Sequence, residues 1–179
     1  MYKPIVVNLF GAPGVGKSTA AAYIFSQLKM QGVNCELVTE FAKDKTWEHN
    51  TGALSNQAYV FGKQCYRMSR CAEQVDVIVT DSPLLLSIIY NHDPVLGDDF
   101  NKTVLNVFNS YNNVNYLLNR VKPYNPAGRN QTEEESNVIG AQIKQMLIDN
   151  AVGFKEKTGE VNSYMNIVVD VLGLIYNTT

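Results

Sequence analysis

Gly11-Ala12-Pro13-Gly14-Val15-Gly16-Lys17-Ser18 is the stretch whose reading decides the fold. It fits G-x-x-x-x-G-K-[ST] without a gap. The apolar, β-branched run Ile5-Val6-Val7-Asn8-Leu9-Phe10 precedes it, and the helix-forming run Thr19-Ala20-Ala21-Ala22-Tyr23-Ile24-Phe25 follows. Strand, glycine loop and helix in that order make an anion cradle. The glycines let the backbone turn sharply and come close to a phosphate, successive N–H groups point inward, and the helix adds the positive end of its dipole. Residues Gly11, Ala12, Pro13, Gly14, Val15, Gly16, Lys17, Ser18 and Thr19 are therefore the expected ATP-binding set. Lys17 would reach the β- and γ-phosphates, and Ser18 would offer a hydroxyl to Mg²⁺.

Working outward, the 179 residues suggest one domain, 1–179, with a real core. Hydrophobic residues make up 45% and charged residues 18%, with a net charge of −2 and a pI of about 5.7. That balance argues against a broad electrostatic grip on nucleic acid, though a local basic patch stays open. Cys35, Cys65 and Cys71 form no C-x-x-C pair and read as free, mostly buried thiols in a reducing compartment. No apolar run approaches the roughly 20 residues of a membrane span, and the chain opens directly into a strand with no signal-peptide pattern. The expectation is a cytoplasmic protein with no membrane partner.

The periodicity predicts a helix over 17–31 capped by Gly32, then a strand over 34–39 ending at Glu40. A short helix and loop carry Lys43, Lys45 and Trp47, and a long helix runs from Leu54 to about Gln74. Val75-Asp76-Val77-Ile78-Val79-Thr80 reads as a buried parallel strand ending in Asp81-Ser82-Pro83. Helices over 84–90 and 98–111 follow, then a strand at 114–118 running into Arg120. Residues 120–131 form a cationic Pro/Gly loop, and Thr132-Glu133-Glu134-Glu135 is a capping box that starts the next helix. Gly153 to Gly159 reads as a surface connection, and Ile167-Val168-Val169-Asp170-Val171 as the last strand. This β-α-β alternation calls for a three-layer α/β fold: a mostly parallel sheet of five strands, helices on both faces, and a short lid at about 120–131.

Two carboxylates end strands of this sheet, where open α/β sheets place their ligands. One would serve Mg²⁺, as Ser18 does, and the other would orient the acceptor hydroxyl. The preferred assignment is Asp81 to the metal and Glu40 to the acceptor. A solvated strand end for Glu40, and an N-cap role for Asp81 or Ser82, are the competing readings. Arg120, Lys122 and Arg129 bracket the Pro/Gly loop, which suits a mobile lid that excludes water and brings cations to a transferring phosphoryl group. Catalytic candidates are thus Lys17, Glu40, Asp81, Arg120 and Arg129. Trp47, Gln64 and Arg67 join Glu40 as candidate substrate contacts, because an aromatic can stack on a base and a glutamine can read its edge. His49 and His92 lack metal-ligand spacing.

With these residues in place, the chain resembles the small P-loop nucleoside and nucleotide kinases over nearly its whole length. Glu40-Phe41-Ala42, Trp47-Glu48 and Asn56-Gln57-Ala58-Tyr59-Val60-Phe61-Gly62-Lys63-Gln64 resemble the ribosylnicotinamide-kinase-like branch. The resemblance implies a P-loop kinase fold, ATP and Mg²⁺ as cofactors, and transfer of the γ-phosphate to a nucleoside-type acceptor. Phage genomes carry compact relatives of this branch, among them kinases that phosphorylate 5-hydroxymethyluridine within DNA during base modification, so a modified base in DNA is one implied acceptor, with the host cytoplasm as its setting. A deoxynucleoside monophosphate or ribosylnicotinamide is the alternative. Asp81-Ser82 departs from the Glu-Arg pair of deoxynucleoside kinases, and no nucleotidyltransferase part accompanies the kinase-like part. Two readings of other classes stand beside it: a P-loop ATPase or NTP switch working on a protein partner, and a nucleotide-binding regulator without turnover. Oligomeric state, a homodimer included, stays open.

Overall fold

The computed structural model describes residues 3–125, 127 and 131–176. Five strands, β1 (Ile5–Phe10), β2 (Cys35–Val38), β3 (Val77–Thr80), β4 (Asn112–Asn119) and β5 (Lys155–Thr158), form one sheet in the order β2-β3-β1-β4-β5. Every pairing is parallel. β1 lies at the centre, so the glycine loop that follows it emerges from the middle of the sheet's C-terminal edge.

Period-two alternation along β1 divides the interior into two cores. Val7 and Leu9 face α1 (Lys17–Met30) and α8 (Val161–Tyr176), packing with Ala20, Ile24, Leu28, Ile167 and Val171. Val6 and Phe10 face the opposite layer, α4 (Gln57–Ala72), α5 (Leu86–Ile89), α6 (Gly97–Asn109) and α7 (Glu133–Asp149), through Phe61, Met68, Val104, Phe108, Ile143 and Leu147. α2 (Phe41–Trp47) and α3 (Thr51–Ser55) lead from β2 into α4. The capping box forms as expected. Thr132 Oγ1 accepts from Glu135 N–H at 3.2 Å, and Glu135 Oε2 accepts from Thr132 N–H at 2.7 Å.

Two expectations are corrected at the C-terminal end. The run Ile167–Val171 is not a strand. It lies inside α8, where Tyr164, Ile167, Val168 and Val171 are buried at i, i+3, i+4 and i+7. Helical spacing against α1 outweighs the β-branched composition. The fifth strand is instead Lys155–Thr158, which the sequence presents as a surface connection. As the sheet's outer strand it has no buried residue to give it an apolar signature. The long helix expected over 54–74 is two helices, broken where the Asn56 side chain caps α4 by accepting from Tyr59 N–H at 2.9 Å. Asp81 does not cap a helix, since α5 begins only at Leu86.

Candidate active site

The glycine loop is built for close approach. Gly16 stands at φ 100° as the N-terminal boundary of α1 and leaves that terminus without a side-chain cap. A side chain at φ in that range is strained, so glycine is the residue that allows the turn. Lys17 Nζ donates to Gly11 O at 2.8 Å and to Ala12 O at 3.1 Å, holding the ammonium across the loop. Ser18 and Thr19 are exposed on the first turn of α1.

The loop is braced from behind. Ser136 Oγ, fully buried on α7, donates to Pro13 O at 2.7 Å. Arg120 Nη2 donates to Ser136 Oγ at 2.5 Å and to Pro13 O at 3.3 Å. Arg120 Nη1 pairs with Glu133 at 3.1 Å, and the guanidinium lies 5.0 Å from the Tyr124 ring centroid. Its buried Nε has no hydrogen-bond partner among the described residues. Arg120 thus ties the segment after β4 to the glycine loop and does not itself line the cavity in front of it, whereas Ala127 and Gln131 do. Arg129 lies outside the described residues. A second brace is steric: a Cβ at Gly159 would lie 2.5 Å from Val15 O. Gly159→Ala is expected to lower stability by about 1–3 kcal/mol through backbone overpacking and to weaken ATP binding with it. Urea unfolding measures the first and equilibrium dialysis the second. An unchanged midpoint would contradict the packing assigned here.

The two strand-end carboxylates meet because β2 and β3 run parallel in register, Val38 beside Thr80. Asp81 Oδ1 accepts from the Glu40 N–H at 3.0 Å. Asp81 is 5% exposed. Burial pushes its carboxyl above the usual aspartate range, while the Lys17 ammonium and the Glu40 N–H pull it partly back. Burial likewise raises the Glu40 carboxyl. Lys17 opposes that shift and the negative charge of Asp81 adds to it. Glu40's side chain makes no hydrogen bond among the described residues. Tyr90, pushed up to about 12 by burial and by the nearby Glu40 charge, stands beside it.

These groups share one cavity of about 380 Å³, within the range of small-ligand sites. Lys17, Ser18, Glu40 and Asp81 line it together with Trp47, Leu54, Val60 and Leu86. Trp47 lines it while remaining 61% exposed. Gln64 also lines it, but both ends of its amide are committed to backbone: Oε1 accepts from Phe41 N–H at 2.9 Å, and Nε2 donates to Thr39 O at 3.3 Å. Arg67 is not brought to the cavity. Its guanidinium pairs with Asp44, bonds Thr39 O and lies 5.3 Å from the Phe41 ring centroid. The buried stripe of α4 is Gln57, Phe61, Gln64, Met68 and Cys71, spaced by four and three, and Arg67 falls beside it. Gln57, which its i, i+7 spacing to Gln64 places on the same face, also lines the cavity although it is not among the candidates read from the sequence.

Among the described residues no helix is long and apolar enough to cross a membrane. A family model described as an AAA domain matches residues 6–162. No curated protein matches the sequence. Among solved structures, the NadR protein in complex with NR superposes with a TM-score of 0.71 at 12% identity, covering 94% of this chain and 50% of that one. This chain therefore spans half the length of that relative. Thymidylate kinase from Ehrlichia chaffeensis gives a TM-score of 0.62 at 13% identity over 97% and 100% of the two chains. Deoxyadenosine kinase from M. mycoides with bound dCTP gives 0.60 at 17% over 94% and 98%. The likeness to these three establishes the P-loop kinase fold.

Proposed function

The chain belongs to the AAA domain family, and from that premise we propose that it is an ATP- and Mg²⁺-dependent kinase acting on a nucleoside-type acceptor. The observation that carries the proposal is that one cavity is lined both by the phosphate loop and by Glu40, whose side chain makes no hydrogen bond among the described residues. The apolar lining beyond these groups, Leu54, Val60 and Leu86, gives room for an acceptor that an NTP switch does not need.

Lys17 and the loop amides would bind the β- and γ-phosphates. Ser18 and Asp81 offer an oxygen donor set with few protein ligands, which suits Mg²⁺ because it keeps waters and phosphate oxygens in its shell. When bound there, the metal would neutralise charge on the phosphates. Asp81 already spends one oxygen on the Glu40 N–H, so Glu40 is the carboxylate left to orient the acceptor hydroxyl and take its proton. The exposed ring of Trp47 would stack on the acceptor. Arg129 would bring positive charge to the transferring group, and the Arg120–Pro13 contact would couple the 120–131 segment to the loop.

Incubation with γ-labelled ATP and a panel of nucleosides, nucleoside monophosphates, ribosylnicotinamide and 5-hydroxymethyluracil-containing DNA tests the proposal. Label is expected on a member of this panel. Label on the DNA would assign a modified base as the acceptor. ATP hydrolysis with no labelled acceptor, stimulated by a protein partner, would make the chain an ATPase or switch instead.

A further inference from the structure

α7 lies directly behind the phosphate loop. A Cβ at Gly140 would stand 3.1 Å from the Ala12 Cβ. One turn earlier on the same helix, the fully buried Ser136 reaches Pro13. A serine within a helix commonly turns its hydroxyl to its own helix backbone, but this one bonds across to a residue far away in sequence. The direction of each bond follows from the groups involved. A carbonyl only accepts, so the Ser136 hydroxyl gives its proton to Pro13 O, at 2.7 Å. A guanidinium only donates, so Ser136 Oγ accepts from Arg120 Nη2, at 2.5 Å. Arg120 thereby turns the one proton of Ser136 toward the loop, and its Nη2 adds a second, longer bond to Pro13 O at 3.3 Å. Arg120 holds this position although its Nε is left buried without a partner among the described residues, an arrangement that folded proteins seldom tolerate without a reason.

We infer that Ser136, oriented by Arg120, is a positioning residue that aims the Gly14 N–H at the bound phosphates. The Pro13–Gly14 peptide is planar and trans, so its C=O and its N–H point in opposite directions. Pinning Pro13 O back onto α7 turns the Gly14 N–H forward, and Pro13 and Gly14 both line the cavity. That N–H makes no hydrogen bond among the described residues. Gly14 stands at φ 81°, a conformation glycine adopts without strain. Gly11 O and Ala12 O are held differently, by Lys17 Nζ, a group for which the phosphates compete. Pro13 O is held by two side chains that do not line the cavity, so the donor beyond it stays aimed while Lys17 turns to the phosphates. A donor fixed before the charge arrives needs no reorganisation when it does, and that is where such groups gain their effect. The inference rests on the proposal that this loop binds the phosphates of ATP for transfer.

Isothermal titration calorimetry with ATP and Mg²⁺, and with inorganic triphosphate as a probe of the loop alone, tests the inference without turnover. Ser136→Ala removes the proton donor. ATP and triphosphate should each bind it about tenfold more weakly, the scale of one misdirected hydrogen bond to a charged group. Ser136→Cys keeps the volume and offers a weaker donor, so it should fall between Ser136→Ala and the parent. Ile143→Val, at a buried position of the same helix, controls for packing: it should lose stability yet keep ATP affinity within about twofold. A protein that is only destabilised shows fewer sites per chain at the same affinity, so the two effects separate. Arg120→Met combined with Ser136→Ala should weaken binding by less than the product of the single losses, because both side chains act on one carbonyl. Parent affinity in Ser136→Ala and Ser136→Cys, or multiplicative losses in the double variant, would overturn the inference. The kinase proposal fails separately. Ser136-dependent triphosphate binding with no phosphate transfer would remove the kinase and keep the positioning role, whereas transfer with full ATP affinity in Ser136→Ala would do the reverse. A native protein that binds no ATP would remove both.

Discussion

Lys17→Ala is expected to cut γ-phosphate transfer by at least about 10³-fold while leaving a folded protein. A preorganised group aimed at developing charge in a phosphoryl or acyl transfer is worth about 10²–10³ when removed, and Lys17 carries a full charge. Its Nζ is held by Gly11 O and Ala12 O at 2.8 and 3.1 Å, so the loop fixes where that charge sits. Of the two residues Gly11 is buried and Ala12 half-buried, so water can take the ammonium's place beside Ala12. The loop also keeps its other supports, Ser136 Oγ on Pro13 O and the close approach of Gly159 to Val15. Alanine is a good residue at the start of α1. The variant should therefore unfold cooperatively, with a Tm within a few degrees of the parent. Because Lys17 is the main cation opposing the raised carboxyls of Glu40 and Asp81, its loss should move both still higher. Steady-state transfer assays with thermal melts check the pair of outcomes. Transfer at the parent rate would remove Lys17 from the mechanism and the kinase reading with it.

The same loop marks where sequence reading is strong. A phosphate cradle is made from consecutive residues, so Gly11–Ser18 states its own geometry, and a parallel sheet follows from the strands around it. Glu40 and Asp81 were legible for a related reason: each ends a strand, and the sheet brings strand ends together. The errors fall where an element's character depends on what lies against it. Lys155–Thr158 is a strand because β4 offers it hydrogen bonds, and nothing in Lys-Glu-Lys-Thr announces that. Ile167–Val171 is helical because α1 presents a matching surface, although the same five residues would suit a buried strand. In the acceptor half the question was which of several polar side chains stays uncommitted. Gln64 and Arg67 are consumed by Phe41, Thr39 and Asp44, and those partners lie 23 to 28 residues away in sequence. The spacing puts Gln57 on the same face as Gln64, but which of the two stays uncommitted depends on those distant partners.

Glu40→Gln should separate catalysis from stability by moving them in opposite directions. Removing a positioned general base costs about 10²–10⁴ in rate, so transfer should fall by that much. Stability should rise at neutral pH, and the sign follows from the raised carboxyl. A group whose pKa is higher in the folded state favours folding while it is protonated. That contribution is complete below the ordinary value, 4.5 for Glu40, and is lost as pH climbs through the raised folded value. As pH climbs past that value, ionising the Glu40 carboxyl therefore weighs against the fold, opposed by Lys17. Glutamine keeps the shape and removes the charge, so the Tm of Glu40→Gln should exceed that of the parent at pH 7, and the difference should vanish in acid. The parent's transfer rate should rise with pH above the usual glutamate range, and in the variant that limb should flatten. Asp81→Asn is the control: its carboxyl is raised for the same reason, so it too should gain Tm, but it should also weaken the Mg²⁺ dependence of ATP binding, which Glu40→Gln leaves intact. A Glu40→Gln protein that loses stability at neutral pH, or keeps the parent's rate, would return Glu40 to the role of a solvated strand end.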